Sequence, residues 1–238
     1  MAYQFDEHNA TANTYLDFAR GHYNNVTPVN LFGFNRNVAT EFETIMNDGG
    51  GIYTFPSSAL IMSCVSSTTD TVPVFISGLD ADYLPISETV TLNGTTPVAT
   101  TQAFFRINSV YVSVGVNAGN VTISNGGTTY GYIEAGTGVM QASLYTTPAN
   151  CKLYITAVHF ASGTVNPNKY LFGRVYKLTA GGGVMRFWEA TWNTSSLSYN
   201  IPVPFAIPEK TDFAFEAKSS SGENEISVYV NAVMIDNE

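Results

Sequence analysis

Three histidines, His8, His22 and His159, are the only imidazoles in the 238 residues. General acid–base work and metal ligation both favour imidazole, yet these three sit in no HExxH, His–Cys or GxSxG pattern. In the run around His159, strict alternation puts Ile155, Ala157, His159 and Ala161 on one strand face, which suits a core-edge histidine better than a ligand. Carboxylates occur in pairs at Glu41/Glu43 and Asp80/Asp82. A glycosidase needs two carboxyls facing each other across a sugar, about 5 Å or about 6.5–9.5 Å apart. Residues two apart lie side by side on a strand or in a turn instead. Asp80 and Asp82 read as turn residues, since the remaining ligands of a calcium loop are missing. The Gly-rich loops lack the lysine and helix of a phosphate loop, and Gly136-Thr137-Gly138 joins two strands. The expectation is a protein that is not an enzyme, with no cofactor and no metal.

Binding chemistry leaves more openings. Trp188, Ala190 and Trp192 share a face and would stack sugar rings if exposed, although alternating aromatics more often fill sandwich cores. Cys64 and Cys151 lie in separate apolar runs without CxxC spacing, favouring buried free thiols, with a disulfide as the alternative. Net charge is −9, and the ten Lys and Arg are scattered, which argues against nucleic acid. No run approaches the ~18 apolar residues of a membrane helix. Met1 to Glu7 has neither a basic n-region nor an apolar h-region, so no secretory leader is expected there.

The elements that would position any such residue are strands. Only 12% of residues are charged, and Thr, Ser, Asn and Gly replace the usual Lys and Glu. Those types make polar strand faces and tight turns and are poor material for amphipathic helices. Ile86, Glu88, Val90 and Leu92 alternate with Ser87, Thr89 and Thr91, the mark of a half-buried strand, and Asn93-Gly94 follows as a hairpin dipeptide. From about residue 115, strand candidates recur at intervals of roughly 8 to 15 residues, separated by Gly, Pro and Asn. The fold expected is all-β, an antiparallel β-sandwich of jelly-roll-like form, with two packed β units and an extended amino-terminal arm. The divisions expected are an arm over 1–32, a first β unit over 33–115, and a jelly-roll-like sandwich over 116–238. One short helix is expected over 10–20. Tyr3, Phe5, Tyr15, Phe18 and Tyr23 make the arm too aromatic for a typical disordered tail and mark it as a docking element. Pro202 and Pro204 lie in a strand that must then be an edge or bulged, because proline cannot donate to a ladder. These seven residues are the candidate interface.

Several segments resemble virion structural proteins of tailed bacteriophages, especially phages of marine bacteria. The resemblance rests on Gly33-Phe34-Asn35-Arg36-Asn37-Val38, on Glu41-Phe42-Glu43-Thr44-Ile45 and on Tyr53-Thr54-Phe55. It continues through Gly78-Leu79-Asp80, Glu88-Thr89-Val90-Thr91-Leu92-Asn93-Gly94 and Ile133-Glu134-Ala135-Gly136. It ends with Leu144-Tyr145-Thr146-Thr147-Pro148 and Ile207-Pro208-Glu209-Lys210-Thr211-Asp212, and covers most of residues 33 to 236 in order. These are turn and strand motifs rather than active-site motifs. The resemblance implies a virion component made in the host bacterial cytoplasm. The first expectation is a capsid decoration or cement protein, a homo-oligomer and specifically a trimer. Its partners would be the major capsid protein or other virion proteins. A tail- or fibre-associated structural or receptor- or glycan-binding protein is the alternative.

Overall fold

The computed structural model describes residues 17, 20–21, 23–48, 50–163, 168–179 and 184–237. From Val26 onward the named elements are all strands, so the all-β expectation holds. The helix expected over 10–20 falls almost wholly outside the described residues, as do Tyr3, Phe5, Tyr15 and Phe18.

Two sheets form a sandwich. One runs β1 (Val26–Val38), β16 (Asn224–Asp236), β11 (Cys151–Ser162), β14 (Ser196–Ile207). The other runs β10 (Leu144–Thr146), β15 (Thr211–Ser219), β12 (Leu171–Thr179), β13 (Val184–Trp192), with β2 (Glu43–Thr44) also on β15. Thr44 pairs with Glu216 and Leu144 with Ala214, so β2 and β10 are two halves of one interrupted strand along a single edge of β15. Counted that way, the eight strands stand in the orders 1-8-3-6 and 2-7-4-5, with each in-sheet pair antiparallel. That is a jelly roll, two Greek keys folded face to face. Leu153, Phe160, Phe213, Phe215, Val228 and Val230 meet between the sheets as one dry core.

The interruption holds the second unit. Residues 46–142 leave and return at one neck, where Met46 bridges Ala142 and the Ser143 hydroxyl donates to the carbonyls of Ile45 (3.1 Å) and Phe215 (3.0 Å). Within it, β3 (Leu60–Ser66), β6 (Val98–Phe104), β8 (Val121–Asn125) and β9 (Thr128–Ile133) form one sheet in the order β6-β3-β8-β9. The other is β5 (Pro85–Thr91), β4 (Pro73–Leu79), β7 (Arg106–Val112). β7 lies beside β9 and β5 beside β6, so the two sheets wrap around a core that includes Met62, Ile76, Phe104 and Ile123. Glu88 explains how one seam closes. It falls on the inward face of β5, as its alternation predicts. Its carboxylate accepts the backbone N–H of Thr101 (2.8 Å) and Gln102 (2.9 Å), supplying the acceptor that a neighbouring strand would.

The expected boundaries need correction. A cut at 32/33 divides β1, which pairs with β16 along its length and buries Val29 and Leu31. A cut at 115/116 separates β8 and β9 from β3, their sheet neighbour. Any arm ends before Val26, and the sandwich takes its first strand from the front of the chain. Within the inserted unit the chain changes sheets at Phe105, with β6 ending at Phe104 and β7 starting at Arg106.

Candidate functional site

The residues singled out for chemistry are mostly joints. Asp80 Oδ1 accepts the N–H of Asp82 and of Leu84, both at 2.9 Å, which is the turn role expected of it. Glu43 accepts from Asn35 Nδ2 and from the Ala39 N–H, each at 3.1 Å, while Glu41 is exposed. Cys64 and Cys151 are free and buried, and burial pushes their thiols up to about 12 and about 11. No group of three or more His, Cys, Asp or Glu able to hold a metal occurs among the described residues.

Asp70 shows how a carboxylate becomes a pin. It accepts from Ser66 Oγ (2.6 Å), Thr68 Oγ1 (3.1 Å) and the N–H groups of Ala118 and Gly119 (2.8 Å each). The Ser66 hydroxyl, together with those N–H groups, holds the carboxyl down at about 2. A folded-state value below the unfolded one gives stability that is complete above the ordinary carboxylate range and is lost as pH falls from about 4 towards 2. Asp70→Asn is therefore expected to cost about 2 kcal/mol at neutral pH and to flatten the acid limb of stability over that window. Urea titrations at pH 7, 4 and 2.5 would read it, and an unchanged acid limb would refute the role.

Two buried ion pairs stitch larger parts. Arg106 Nε and Nη2 donate to the two oxygens of Asp212 at 2.7 and 2.8 Å, tying β7 of the inserted unit to the start of β15 in the jelly roll. Thr146 Oγ1 also donates to Asp212, and Arg106 Nη1 donates to the carbonyls of Pro56 and Phe105. The guanidinium lies 3.9 Å from the Phe105 ring centroid, with Phe55 and Tyr83 further around it. Arg174 pairs with Glu216 and lies 3.7 Å from the Phe42 ring centroid. Sequence reading found neither pair, because nothing local links residues so far apart.

The tryptophan platform is not a platform. Trp192 is buried, and half-buried Trp188 stacks on Phe160 with centroids 5.8 Å apart, so both serve the core. The alternation read through His159 also fails partway. Thr156 is an extra residue in β11, unpaired in the registers with both β14 and β16, and such a bulge turns every later side chain to the opposite face. Ile155 stays inside, Val158 and Phe160 follow it, and Ala157, His159 and Ala161 come to the outer face.

That outer face, on the sheet β1-β16-β11-β14, is the most distinctive surface of the molecule. One row across it is Phe32, Tyr229, His159, Ser198, and the next is Asn30, Asn231, Ala157, Asn200. Phe32 is 44% and Tyr229 41% exposed. On β14 the register jumps from Asn200 to Phe205, and residues 201–204 bow out against Thr156. β14 is both an edge strand and bulged, the two places its prolines allow, and Pro202, Val203 and Pro204 are exposed along it. Between this bow and β1 lies a cavity of about 510 Å³ lined by Asn30, Asn200 and Asn231 with Pro28, Pro202 and Val233. Tyr23 is half-buried just before β1, where its carbonyl accepts the Val26 N–H.

No protein-family model matches the chain. No curated protein matches it either. Among solved structures, infectious bursal disease virus of the Gt strain aligns with 89% of this chain and 73% of its own at 10% identity, with a TM-score of 0.26. The Gx strain structure aligns with 89% and 71% at 12% identity and a TM-score of 0.25.

Proposed function

We propose that the chain is a virion structural protein, of the decoration or cement kind, that seats on a capsid shell and stabilises it. The observation that carries this reading is the strand order: a complete jelly roll holding a second β unit at a pinned neck. Jelly rolls recur in capsid proteins, lectins and cupins, so the fold alone does not choose among them. The interior here is filled by Phe160, Phe213, Phe215 and aliphatic side chains, which leaves no room for a cupin-type centre. The resemblance to tailed-phage virion proteins favours the capsid class over the others.

The internal joints suit such a part. Arg106 with Asp212 holds the inserted unit to the sandwich, Glu88 closes a seam and Asp70 fixes a loop. Exposed β14 and its prolines, with the aromatic residues before Val26, remain the surfaces through which it would meet the major capsid protein or further copies of itself, as a trimer in the simplest case. Quantitative mass spectrometry of purified particles tests the proposal. Copies in the hundreds are expected; a dozen or fewer would move the chain to a tail or fibre, and absence from particles would overturn it.

A further inference from the structure

Three asparagine amides line the cavity on the outer jelly-roll face and are open to a ligand. Asn30 and Asn231 are directly opposite across β1 and β16, and Asn200 lies two strands further along the same row. Their side-chain amides have no hydrogen-bond partner among the described residues, although Asn35, Asn108, Asn117, Asn120 and Asn125 all use theirs inside the protein. Each amide offers two donors and an acceptor in one plane; Asn30 and Asn231, on adjacent strands, stand about 5 Å apart, and Asn200 is about 10 Å further along the row. Beside them stand Phe32 and Tyr229, two exposed aromatic side chains with no ring stacked on either among the described residues. The floor is apolar and small, with Ala157 and Val233 each 7% exposed, and no charged side chain lines the cavity.

These features narrow the ligand. An anion or cation would find no counter-charge in the cavity, and in a chain of net charge −9 an acidic ligand would also meet general repulsion. A purely apolar partner would bury three amides without partners, which is costly. A neutral ligand that alternates hydroxyls with apolar ring faces satisfies both demands, donating to and accepting from the amides while stacking on the aromatic row. We infer that the Asn30–Asn231–Asn200 row and its Phe32–Tyr229 border form a binding site for a neutral oligosaccharide. The cavity volume, about 510 Å³, is in the range of small-molecule sites. The Thr156 bulge builds the site: were residue 156 paired in regular alternation instead of bulged, Ala157 and His159 would point into the core and the β14 bow would have nothing to arch over.

The site does not depend on where the protein sits in a particle, so it can be tested on the purified full chain. Isothermal titration with maltohexaose, cellohexaose, mannohexaose and galactohexaose, with oligogalacturonate as the acidic comparator, is the direct experiment. Binding of at least one neutral oligomer is expected, weakened about tenfold or more by Asn231→Ala and by Tyr229→Ala. Thermal unfolding of both variants should stay near the parent, and Lys152→Ala, at the far end of the same face, should bind as the parent does. No binding by any neutral oligomer at about millimolar concentration would overturn the proposal. So would equal affinity in both variants, or preference for oligogalacturonate. A concentration-dependent dimer that Tyr229→Asp dissociates would assign the face to a second copy and overturn it as well.

Discussion

Arg106→Met is expected to remove roughly 3–5 kcal/mol of folding stability, because it strands a buried carboxylate. Asp212 is 2% exposed and Arg106 5%, and the pair meets through two parallel hydrogen bonds. Taking both charges out of water is itself expensive, so the intact pair contributes little net stability compared with an apolar pair. Breaking it is different. Asp212 would keep Thr146 Oγ1 as a donor but lose its counter-charge in a dry site. The double variant Arg106→Met with Asp212→Leu is therefore expected to be more stable than Arg106→Met alone. Arg106→Lys should rescue only part, since one ammonium cannot reproduce the fork or reach the carbonyls of Pro56 and Phe105. Urea unfolding of the four proteins reads all of this. A double variant as unstable as the single one would mean that the arginine acts through packing against Phe105 rather than through charge.

The second large effect is expected at Gly33. This glycine has an ordinary strand backbone; its importance is the absence of a side chain. A Cβ there would lie 2.5 Å from Ser143 Cβ and 2.6 Å from the Ile45 carbonyl, where the interrupted strand crosses β1. Neither neighbour can yield, because the Ser143 hydroxyl and N–H are both bonded to that same Ile45 carbonyl. Gly33→Ala is expected to cost about 3 kcal/mol or more and to speed hydrogen exchange at Phe34 and Ser143. Gly126→Ala is the comparison: φ is +57° there but nothing lies within 4 Å, so about 1 kcal/mol is expected. Equal effects at the two sites would show that β1 does not pack against the neck.

The surroundings of Gly33 show what was legible in the chain and what was not. Strand class was legible because alternation and Gly-Pro-Asn punctuation are local, and β5 with Ile86, Glu88 and Val90 inward follows its pattern residue by residue. The irregular place of β14 was legible too, since Pro202 and Pro204 allow only an edge or a bulge, and β14 has both. The interruption was not. Nothing local distinguishes Glu43–Thr44 and Leu144–Thr146 as halves of one strand; only their shared neighbour β15 does. β1 was missed because Pro28 and the asparagines hid the inward series Val29, Leu31, Gly33, Asn35. At Thr156 alternation itself misled, because one extra residue inverts faces while leaving the pattern of residue types unbroken. The unpartnered amide row is a consequence of that inversion together with register across four strands, so no single segment carried its signal.

The most direct test of the account is a cryo-electron microscopy map of particles containing this chain, at a resolution that separates strands. The account predicts two lobes at regular positions on the head shell. One would be a jelly roll built from residues 26–45 and 143–237, the other residues 46–142 joined through the neck at Ser143, with the β14 edge or the residues before Val26 against neighbouring proteins. A map in which the chain is missing from the shell, or in which β1 is not beside β16, would contradict it.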